Sequence, residues 1–342
     1  MHIVELIKAL RVRGDLVYTY SDSTPDGAER LSENRFTRHI QLAGMDAFYM
    51  RVDGVPQELP AFMRFPLRTF FRHVPIVWEL EATPEIEIRG RPDRVATSEA
   101  SFARFREMAR HASLAICMTP GLERYGRDLG ISQRVIVPNA SDPDVFRPDA
   151  PGGDEIPPNA DGLNVVWHGG PEAWWHDIGS IIGAAKMLED DSRVRFYFLS
   201  TRDIGTDLPS NVQVLKGRDH AGIPGLLARM DVGLCIYRNE TWSSYGSLTS
   251  PLKLFDYLAT GLVVVASPID QVKETFSRRD AGFTVPFEDP QALAERLRTI
   301  AVTKRAMSDK RAAGPKLVRE FYNWDRVAAQ TAESILALKG RA

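Results

Sequence analysis

The residues best suited to chemistry lie together near position 250. Residues 250–261 read Ser-Pro-Leu-Lys-Leu-Phe-Asp-Tyr-Leu-Ala-Thr-Gly and precede an apolar run. Ser250 can cap a helix, Pro251 suits the first helical position, and Gly261 suits the left-handed residue after the last turn. The first N–H groups of such a helix lack internal partners and lie at the positive end of its dipole, so they predict a phosphate site.

Side chains of this predicted helix add a cation and a hydrogen-bond acceptor. Lys253 and Asp256 lie three residues apart and therefore share one face. The ammonium can meet a phosphate, and the carboxylate can accept a hydrogen bond from a ribose or sugar hydroxyl. A nucleotide sugar needs both groups, so we predict that Ser250, Leu252, Lys253 and Asp256 bind it and that Lys253 is also catalytic.

Two loops supply further donor-binding candidates. Gly169 and Gly170 follow a strand-like run, where paired glycines let a phosphate approach the backbone, although a plain tight turn has the same pattern. Arg218 follows another such run and can meet a diphosphate, stack on a base, or remain solvated. The stretch 174–176, Trp-Trp-His, can stack on a base or sugar, but we favour its covering the core.

Glu81 is the second predicted catalytic residue. It follows the apolar run at residues 76–80, where a carboxylate can orient or deprotonate an acceptor hydroxyl. Carboxylates at strand ends also cap helices and form ion pairs, and that alternative stays open.

The composition is that of a soluble protein with two domains. The chain has 342 residues, of which 44% are hydrophobic and 26% charged, with a net charge of -2. The net charge argues against nucleic acid as a partner. No run approaches the about 18–20 apolar residues of a membrane span, and the N-terminus lacks a signal-peptide core, so we expect a cytoplasmic protein.

A basic and aromatic stretch leaves peripheral membrane contact open. Arg64, Arg68 and Arg72 recur every four residues among phenylalanines, a pattern that can dock on the inner face of an anionic membrane. An ordinary amphipathic helix is the interpretation we favour. The motifs of P-loop ATPases, zinc hydrolases and serine hydrolases are absent from the sequence, as are cysteines at metal-binding spacing.

The elements that must position these residues alternate between strands and helices. This alternation predicts parallel sheets wrapped by helices, with ligands in a cleft at the carboxyl ends of the strands. We predict a first domain over 1–145, a second over 160–320, and a helix within 321–342 that packs back toward the first. The predicted strands of the two sheets span residues 47–52, 76–80, 114–118, 135–137, 165–168, 194–199, 212–215, 232–236, 263–266 and 283–285.

The sequence resembles the GT-B-fold glycosyltransferases of family 4. The similarity runs through residues 135–148, 250–267 and 319–325, and the middle stretch is the most specific. The resemblance implies an α/β fold of two doubly wound, Rossmann-like domains, with a nucleotide-diphosphate sugar held by the second. It also implies a glycan, lipid or small-molecule acceptor held by the first, hexosyl transfer with retention, no cofactor and no metal, and a role in polysaccharide or glycoconjugate synthesis.

Three departures from the family pattern bear on the site. Leu248 stands where the first of two family glutamates is expected, and the loop at 169–177 lacks the family's Arg and Lys. Lys253 and Asp256 instead fit a Pro-x-Lys-x-x-acid version of the helix, in which the lysine meets the diphosphate. We also expect the first strand of the N-terminal domain and its glycine-rich loop to be absent.

Two other functions remain open at this stage. A non-catalytic nucleotide-sugar-binding or partner subunit accounts for Leu248 and the weakly charged loop. A nucleotide-sugar epimerase needs acid and base residues in the cleft, for which the sequence offers only Glu81 and His168.

Overall fold

A computed structural model describes most of the chain, and the elements below refer to that part. The described residues are 2–19, 28–31, 41–42, 44–52, 73–83, 86, 99–200, 202–216, 220–239 and 244–339. The helices in chain order are α1 (His2–Val12), α2 (Glu99–Ala109), α3 (Pro120–Asp128), α4 (Ile178–Met187), α5 (Ile223–Leu227), α6 (Leu252–Ala259), α7 (Asp270–Arg278), α8 (Pro290–Val302), α9 (Ser308–Phe321) and α10 (Trp324–Lys339). The strands are β1 (Tyr18–Thr19), β2 (Glu29–Arg30), β3 (Phe48–Val52), β4 (Ile76–Leu80), β5 (Leu114–Cys117), β6 (Arg134–Ile136), β7 (Leu163–His168), β8 (Val194–Ser200), β9 (Val212–Lys216), β10 (Val232–Cys235), β11 (Val263–Ala266) and β12 (Gly282–Thr284).

The chain divides into two compact units. Unit 1 contains Met1–Asn139, Trp242–Ser250 and Trp324–Ala342, and unit 2 contains Ala140–Thr241 and Pro251–Asn323. Unit 1 therefore ends its first segment at Asn139 and is completed by two later segments, instead of being one continuous stretch.

Unit 1 is built on a parallel sheet of four strands in the order β3, β4, β5, β6. Every residue of β4 and β5 is buried, which explains why their sequences do not alternate between apolar and polar residues and are apolar except for Glu79. The predicted strand at 76–80 is confirmed residue for residue, and the other three differ only at their ends. A separate parallel pair joins β1 and β2.

The later segments of unit 1 pack on its helices. Helix α10 lies against α1. The stretch that precedes α6 is tied to α3, because Arg124 donates to the Tyr245 carbonyl at 2.5 Å and the Tyr245 hydroxyl donates to Asp128 at 2.9 Å. These bonds explain why Trp242–Ser250 belongs to unit 1 although its neighbours in sequence belong to unit 2.

Unit 2 contains a parallel sheet of six strands in the order β12, β11, β10, β7, β8, β9. The chain moves outward from β7 to β9, returns to place β10 beside β7, and then moves outward in the other direction. This is a doubly wound sheet, and its switch point lies between β7 and β10. All six strands predicted for this domain are confirmed: β11 matches exactly, and the other five differ by one or two residues at their ends.

The basic stretch with Arg64, Arg68 and Arg72 lies outside the described residues. Among the helices that the structure does describe, none has both the length and the apolar character needed to cross a membrane.

Candidate functional site

The candidate site lies at the switch point of the unit 2 sheet, where open α/β sheets bind ligands. The loop that follows β7 folds against the residues that follow β10. His176 forms an isolated antiparallel bridge with Tyr237, and the Asp177 N–H donates to the Ile236 carbonyl at 3.2 Å. The two loops therefore form one structure at the carboxyl end of the sheet.

Helix α6 is fixed beside this point by apolar packing. Leu254, Phe255 and Leu258 are fully buried, and the helix contacts β10 and β11. Gly233 in β10 lets the Tyr257 ring approach, since a Cβ there would lie 2.4 Å from the ring. The residues left to face the site are those between the apolar positions, including Lys253 and Asp256.

The start of α6 differs from the prediction. Ser250 is not the N-cap, because its hydroxyl accepts the Asn139 N–H at 3.0 Å and its carbonyl accepts from the Asn139 side chain at 2.5 Å. Pro251 occupies the cap position and has no side chain that can accept a hydrogen bond, so α6 has no side-chain cap. The Leu254 N–H donates to the Pro251 carbonyl at 3.1 Å, so the N–H groups before it, beginning with that of the half-buried Leu252, remain suited to an anion.

The end of α6 follows the prediction. Gly261 has φ of +78°, and its N–H donates to the Leu258 carbonyl at 3.1 Å. The Leu262 N–H donates to Tyr257 at 3.0 Å, which completes a Schellman motif. The motif turns the chain directly into β11.

Lys253 is the centre of the site. Its side chain is buried, with the residue 9% exposed, and its Nζ lies 3.2 Å from His176 Nε2. The Nζ also lies 4.7 Å from the centre of the Trp167 ring, within cation–π distance. Gly169 has φ of +151°, and a Cβ on it would lie 2.9 Å from the Nζ. Three parts of unit 2 therefore converge on one ammonium group.

The electrostatics of this ammonium are unusual. Among the residues that the structure describes, no carboxylate forms an ion pair with it. Burial lowers the pKa of Lys253 from 10.5 to about 8, against a smaller opposing effect of Cys235. Burial and then the Lys253 charge lower the pKa of His176 to about 3, so the imidazole is neutral beside a cation at pH 7.

Asp256 is buried on the next turn of α6. Its carboxylate accepts a hydrogen bond from the Ser141 hydroxyl at 2.6 Å. Ser141 is itself held by its N–H, which donates to the Tyr322 carbonyl at 3.0 Å. The carboxylate is thus oriented, and a ribose hydroxyl would be a further donor to it.

Comparison with known proteins finds a family model that matches most of unit 2. The family model described as Glycosyl transferases group 1 matches residues 166–302. We call this matched stretch the group 1 domain. It begins within β7, ends with α8, and contains His176, Lys253 and Asp256.

Solved structures show the fold of the whole chain. Sucrose-phosphate synthase from Thermosynechococcus elongatus has 15% sequence identity and a TM-score of 0.67, covering 99% of this chain and 92% of that one. A glycosyltransferase from Rickettsia africae has 13% identity and a TM-score of 0.66, covering 99% and 94%. Anabaena HepE in complex with UDP-glucose has 16% identity and a TM-score of 0.66, covering 98% and 95%. The chain has the GT-B fold of two Rossmann-like domains, as predicted. Among curated proteins, none matches the sequence significantly.

The glycines of the group 1 domain differ in their surroundings. Gly169 lies against the Lys253 ammonium, whereas the Gly170 carbonyl accepts from His176 Nδ1 at 2.9 Å. A Cβ on Gly170 would lie 2.9 Å from the Glu172 carboxylate. Negative charge beside Gly170 opposes an anion there, so Gly169 is the better placed of the two for a phosphate.

Other predicted site residues lie elsewhere. Glu81 belongs to unit 1. Ser250 also belongs to unit 1, although it falls within the stretch that the family model matches. Glu81 follows β4 and forms an ion pair with Arg51. Arg218 lies outside the described residues. Leu248 is buried in unit 1, where its side chain packs on Gly121 of α3.

Three residues of the site were not predicted as binding residues. Trp167 had the pattern of an ordinary strand residue, and Ser141 lay in a turn-rich stretch far from α6 in sequence. His176 was assigned with the two preceding tryptophans to the core, yet its ring bonds the lysine. A histidine shortly after a strand-end glycine pair was the available signal. Within the described ranges, no cluster of three metal-binding side chains occurs.

Proposed function

We propose that the protein is a glycosyltransferase that moves a hexosyl group from a nucleotide-diphosphate sugar to an acceptor hydroxyl, with retention of configuration. The proposal extends the group 1 domain and the GT-B fold to a substrate class and a reaction. It draws on HepE, a structural neighbour that was solved with UDP-glucose, and on the resemblance to family 4.

The observation that carries the proposal is the buried Lys253 ammonium without an ion-paired carboxylate among the described residues. Burying a charge without a counterion is unfavourable, and such a group is usually matched by a ligand. The ammonium lies at the start of α6, where the uncapped N–H groups also favour an anion. A diphosphate would satisfy both, and Asp256 would accept from the ribose.

The same groups would act on the reaction. Transfer breaks the bond between the sugar C1 and the diphosphate oxygen, which keeps the electron pair. The acceptor oxygen bonds to C1 and gives its proton to Glu81 or to the leaving diphosphate. Lys253 and the α6 N–H groups would stabilise the negative charge that develops on the leaving diphosphate. In this proposal these groups supply the charge, and a metal and a cofactor are not required.

We assign the acceptor to unit 1, with Glu81 as the residue that orients or deprotonates its hydroxyl. Arg51 forms an ion pair with Glu81 and so holds its carboxylate in a fixed position. The resemblance to family 4 supports a glycan, lipid or small-molecule acceptor and a role in glycoconjugate synthesis. We further propose a cytoplasmic location.

The test is transfer and binding by the full chain. UDP- and GDP-sugars would be screened by calorimetry for binding and by chromatography for hydrolysis and transfer. Lys253→Met removes the charge but keeps a long apolar side chain, and we expect a loss of about 100- to 1,000-fold in turnover.

The matched control is Lys186→Met in α4, since Lys186 is exposed and pairs with Asp207 at 3.1 Å. This variant should keep wild-type turnover. Full turnover by Lys253→Met would contradict the assigned role of Lys253, and absence of binding to every donor would contradict the nucleotide-sugar site.

A nucleotide-sugar-binding subunit is the second candidate. Leu248 favours this candidate, because a leucine that is buried in unit 1 supplies no acidic group to a donor. Tight binding of a nucleotide sugar without hydrolysis or transfer, across a broad acceptor panel, would support this candidate over the enzyme.

A further inference from the structure

The two contacts of the His176 ring define which of its nitrogens carries the proton. The Gly170 carbonyl, 2.9 Å from Nδ1, can only accept a hydrogen bond, so Nδ1 carries the proton. Nε2 of the neutral ring is therefore an acceptor, and it lies 3.2 Å from the Lys253 Nζ. The ammonium has three N–H donors, and this contact uses one of them.

The imidazole is itself held firmly. Its ring centre lies 5.3 Å from that of Trp167 in an edge-on arrangement and 5.7 Å from that of Tyr237. The backbone bridge to Tyr237 fixes the loop on which His176 lies. Gly169 completes the arrangement, because any larger residue would place its Cβ against the Nζ.

We propose that His176 is a positioning residue that holds the Lys253 ammonium in place for the donor diphosphate. A lysine side chain is flexible, and fixing it before the ligand binds removes that entropic cost from binding. The loop at 169–177 has no Arg or Lys of its own. It contributes instead the neutral imidazole of His176, which accepts a hydrogen bond from the Lys253 ammonium on α6 and so fixes its position. The part of this inference that concerns the diphosphate rests on the proposed function.

The groups around Lys253 allow its titration to be followed. The titratable residues near Lys253 or His176 include Cys235, Asp256, Tyr237, Tyr257 and His168. Asp177 follows His176 and accepts from the Ser180 N–H at 3.0 Å, and the Glu172 carboxylate lies beside Gly170. Burial raises the pKa of Cys235 to about 12 and that of Tyr237 and Tyr257 well above its usual value. These three groups stay neutral near pH 8, where Lys253 changes charge.

Two variants of similar size separate the two bonds of the imidazole. In His176→Gln the amide oxygen can replace Nε2 as an acceptor for Lys253. In His176→Asn the amide can reach only the Nδ1 position, so the bond to Gly170 can persist and the bond to Lys253 is lost. His176→Leu removes both bonds.

The readout is the titration of Lys253 in the full chain without nucleotide, followed by NMR of ¹³C-labelled lysine and assigned with Lys253→Arg. Because a hydrogen bond to the ammonium favours the charged form, its loss should lower the titration midpoint by about one pH unit in His176→Asn and His176→Leu. His176→Gln should stay close to the wild type. A wild-type midpoint in both His176→Asn and His176→Leu would overturn the inference, and thermal unfolding would verify that each variant is folded.

Calorimetry with UDP and GDP separates this inference from the proposed function. We expect about tenfold weaker binding for His176→Asn and His176→Leu and near wild-type binding for His176→Gln. If the Lys253 midpoint shifts as expected but Lys253→Met binds nucleotides normally, His176 positions the lysine and the proposed function fails. If Lys253→Met abolishes binding while His176→Asn and His176→Leu bind normally, the proposed function stands and the inference fails. Should His176→Leu not fold, the Asn and Gln variants decide between these outcomes.

Discussion

Glu79 in unit 1 and Lys253 in unit 2 are both buried charged residues close to the carboxyl end of a parallel sheet, and their surroundings are opposite. Glu79 is 1% exposed and pairs with His2, while Arg51 Nε lies 3.4 Å from its other oxygen. Lys253 has a neutral imidazole and an aromatic ring beside it.

The register of strands β3 and β4 accounts for the contact between Glu79 and Arg51. Arg51 and Glu79 are register partners on the adjacent strands β3 and β4, so their side chains share one face of the sheet. The start of α1 brings His2 to the other side of the carboxylate, and His2 also contacts Asn139. Burial and then the Glu79 charge raise the pKa of the neighbouring Tyr49 well above its usual value.

The difference between the two regions separates stability from function. A buried charge that is ion-paired within the protein has its counterion before any ligand arrives, and removing its partner mainly costs stability. A buried charge without an opposite charge lowers stability by itself and is expected where a ligand supplies the counterion. We therefore assign Glu79, with His2 and Arg51, to the stability of unit 1. We assign Lys253, with His176 and Trp167, to ligand binding.

The largest expected effect concerns Glu79. Glu79→Gln leaves Arg51 and His2 without the buried anion, and we expect the free energy of unfolding of unit 1 to fall by about 3–5 kcal/mol. Urea denaturation would measure it. Glu29→Gln is the control, because Glu29 is exposed and lies 3.6 Å from Arg11. A loss below about 1 kcal/mol for Glu79→Gln would contradict a structural role for this cluster.

Lys253→Met should have the opposite effect on stability. The pKa of Lys253 is depressed to about 8 in the folded protein, so the unfolded state binds more protons between pH 8 and 10.5 and wild-type stability rises across that window. Below pH 8 the buried charge costs about 3 kcal/mol, which Met does not incur. The variant should therefore unfold at higher denaturant concentration than the wild type at pH 7, and this advantage should shrink by pH 10. If the variant were less stable than the wild type at pH 7, this would contradict the conclusion that the buried Lys253 charge has no counterion within the protein.

A smaller effect is expected at Gly169. Gly169→Ala introduces a side chain where φ is +151°, at a cost of about 1–3 kcal/mol, and also places a Cβ against the Lys253 Nζ. Gly205→Ala is the matched control, because Gly205 has φ of +125° and no atom within 4 Å of a Cβ placed there. Both variants should lose stability by thermal unfolding, but only Gly169→Ala should bind nucleoside diphosphates more weakly. Equal affinities in the two variants would contradict the contact between Gly169 and the lysine.

The elements of the fold were largely predictable because their signals are local. The strand β11 is an uninterrupted apolar run ended by a glycine turn on one side, and its bounds match the prediction residue for residue. The prediction that Ser250 caps α6 was wrong, because the Ser250 hydroxyl accepts from the Asn139 N–H. Asn139 is distant in sequence, and no local pattern connects it to Ser250.

The site was predictable only where its residues share an element. Lys253 and Asp256 lie on one helix, and helical spacing relates them directly. The contacts that define their chemistry come from His176, Trp167 and Ser141, which reach them only through the order of strands in the sheet. Sheet order and the protonation of His176 depend on tertiary contacts, which motif spacing does not encode.

The affinity of the full chain for UDP and GDP as a function of pH tests the role of Lys253 most directly. Calorimetry from pH 6.5 to 10 should show strong binding while the ammonium is charged and a fall as the pH passes its pKa of about 8 in the free protein. Lys253→Met should bind at least about tenfold more weakly at pH 7 and should show no such fall. Equal affinity and the same pH dependence in Lys253→Met and the wild type would contradict the assignment of Lys253 as the counterion of a donor diphosphate.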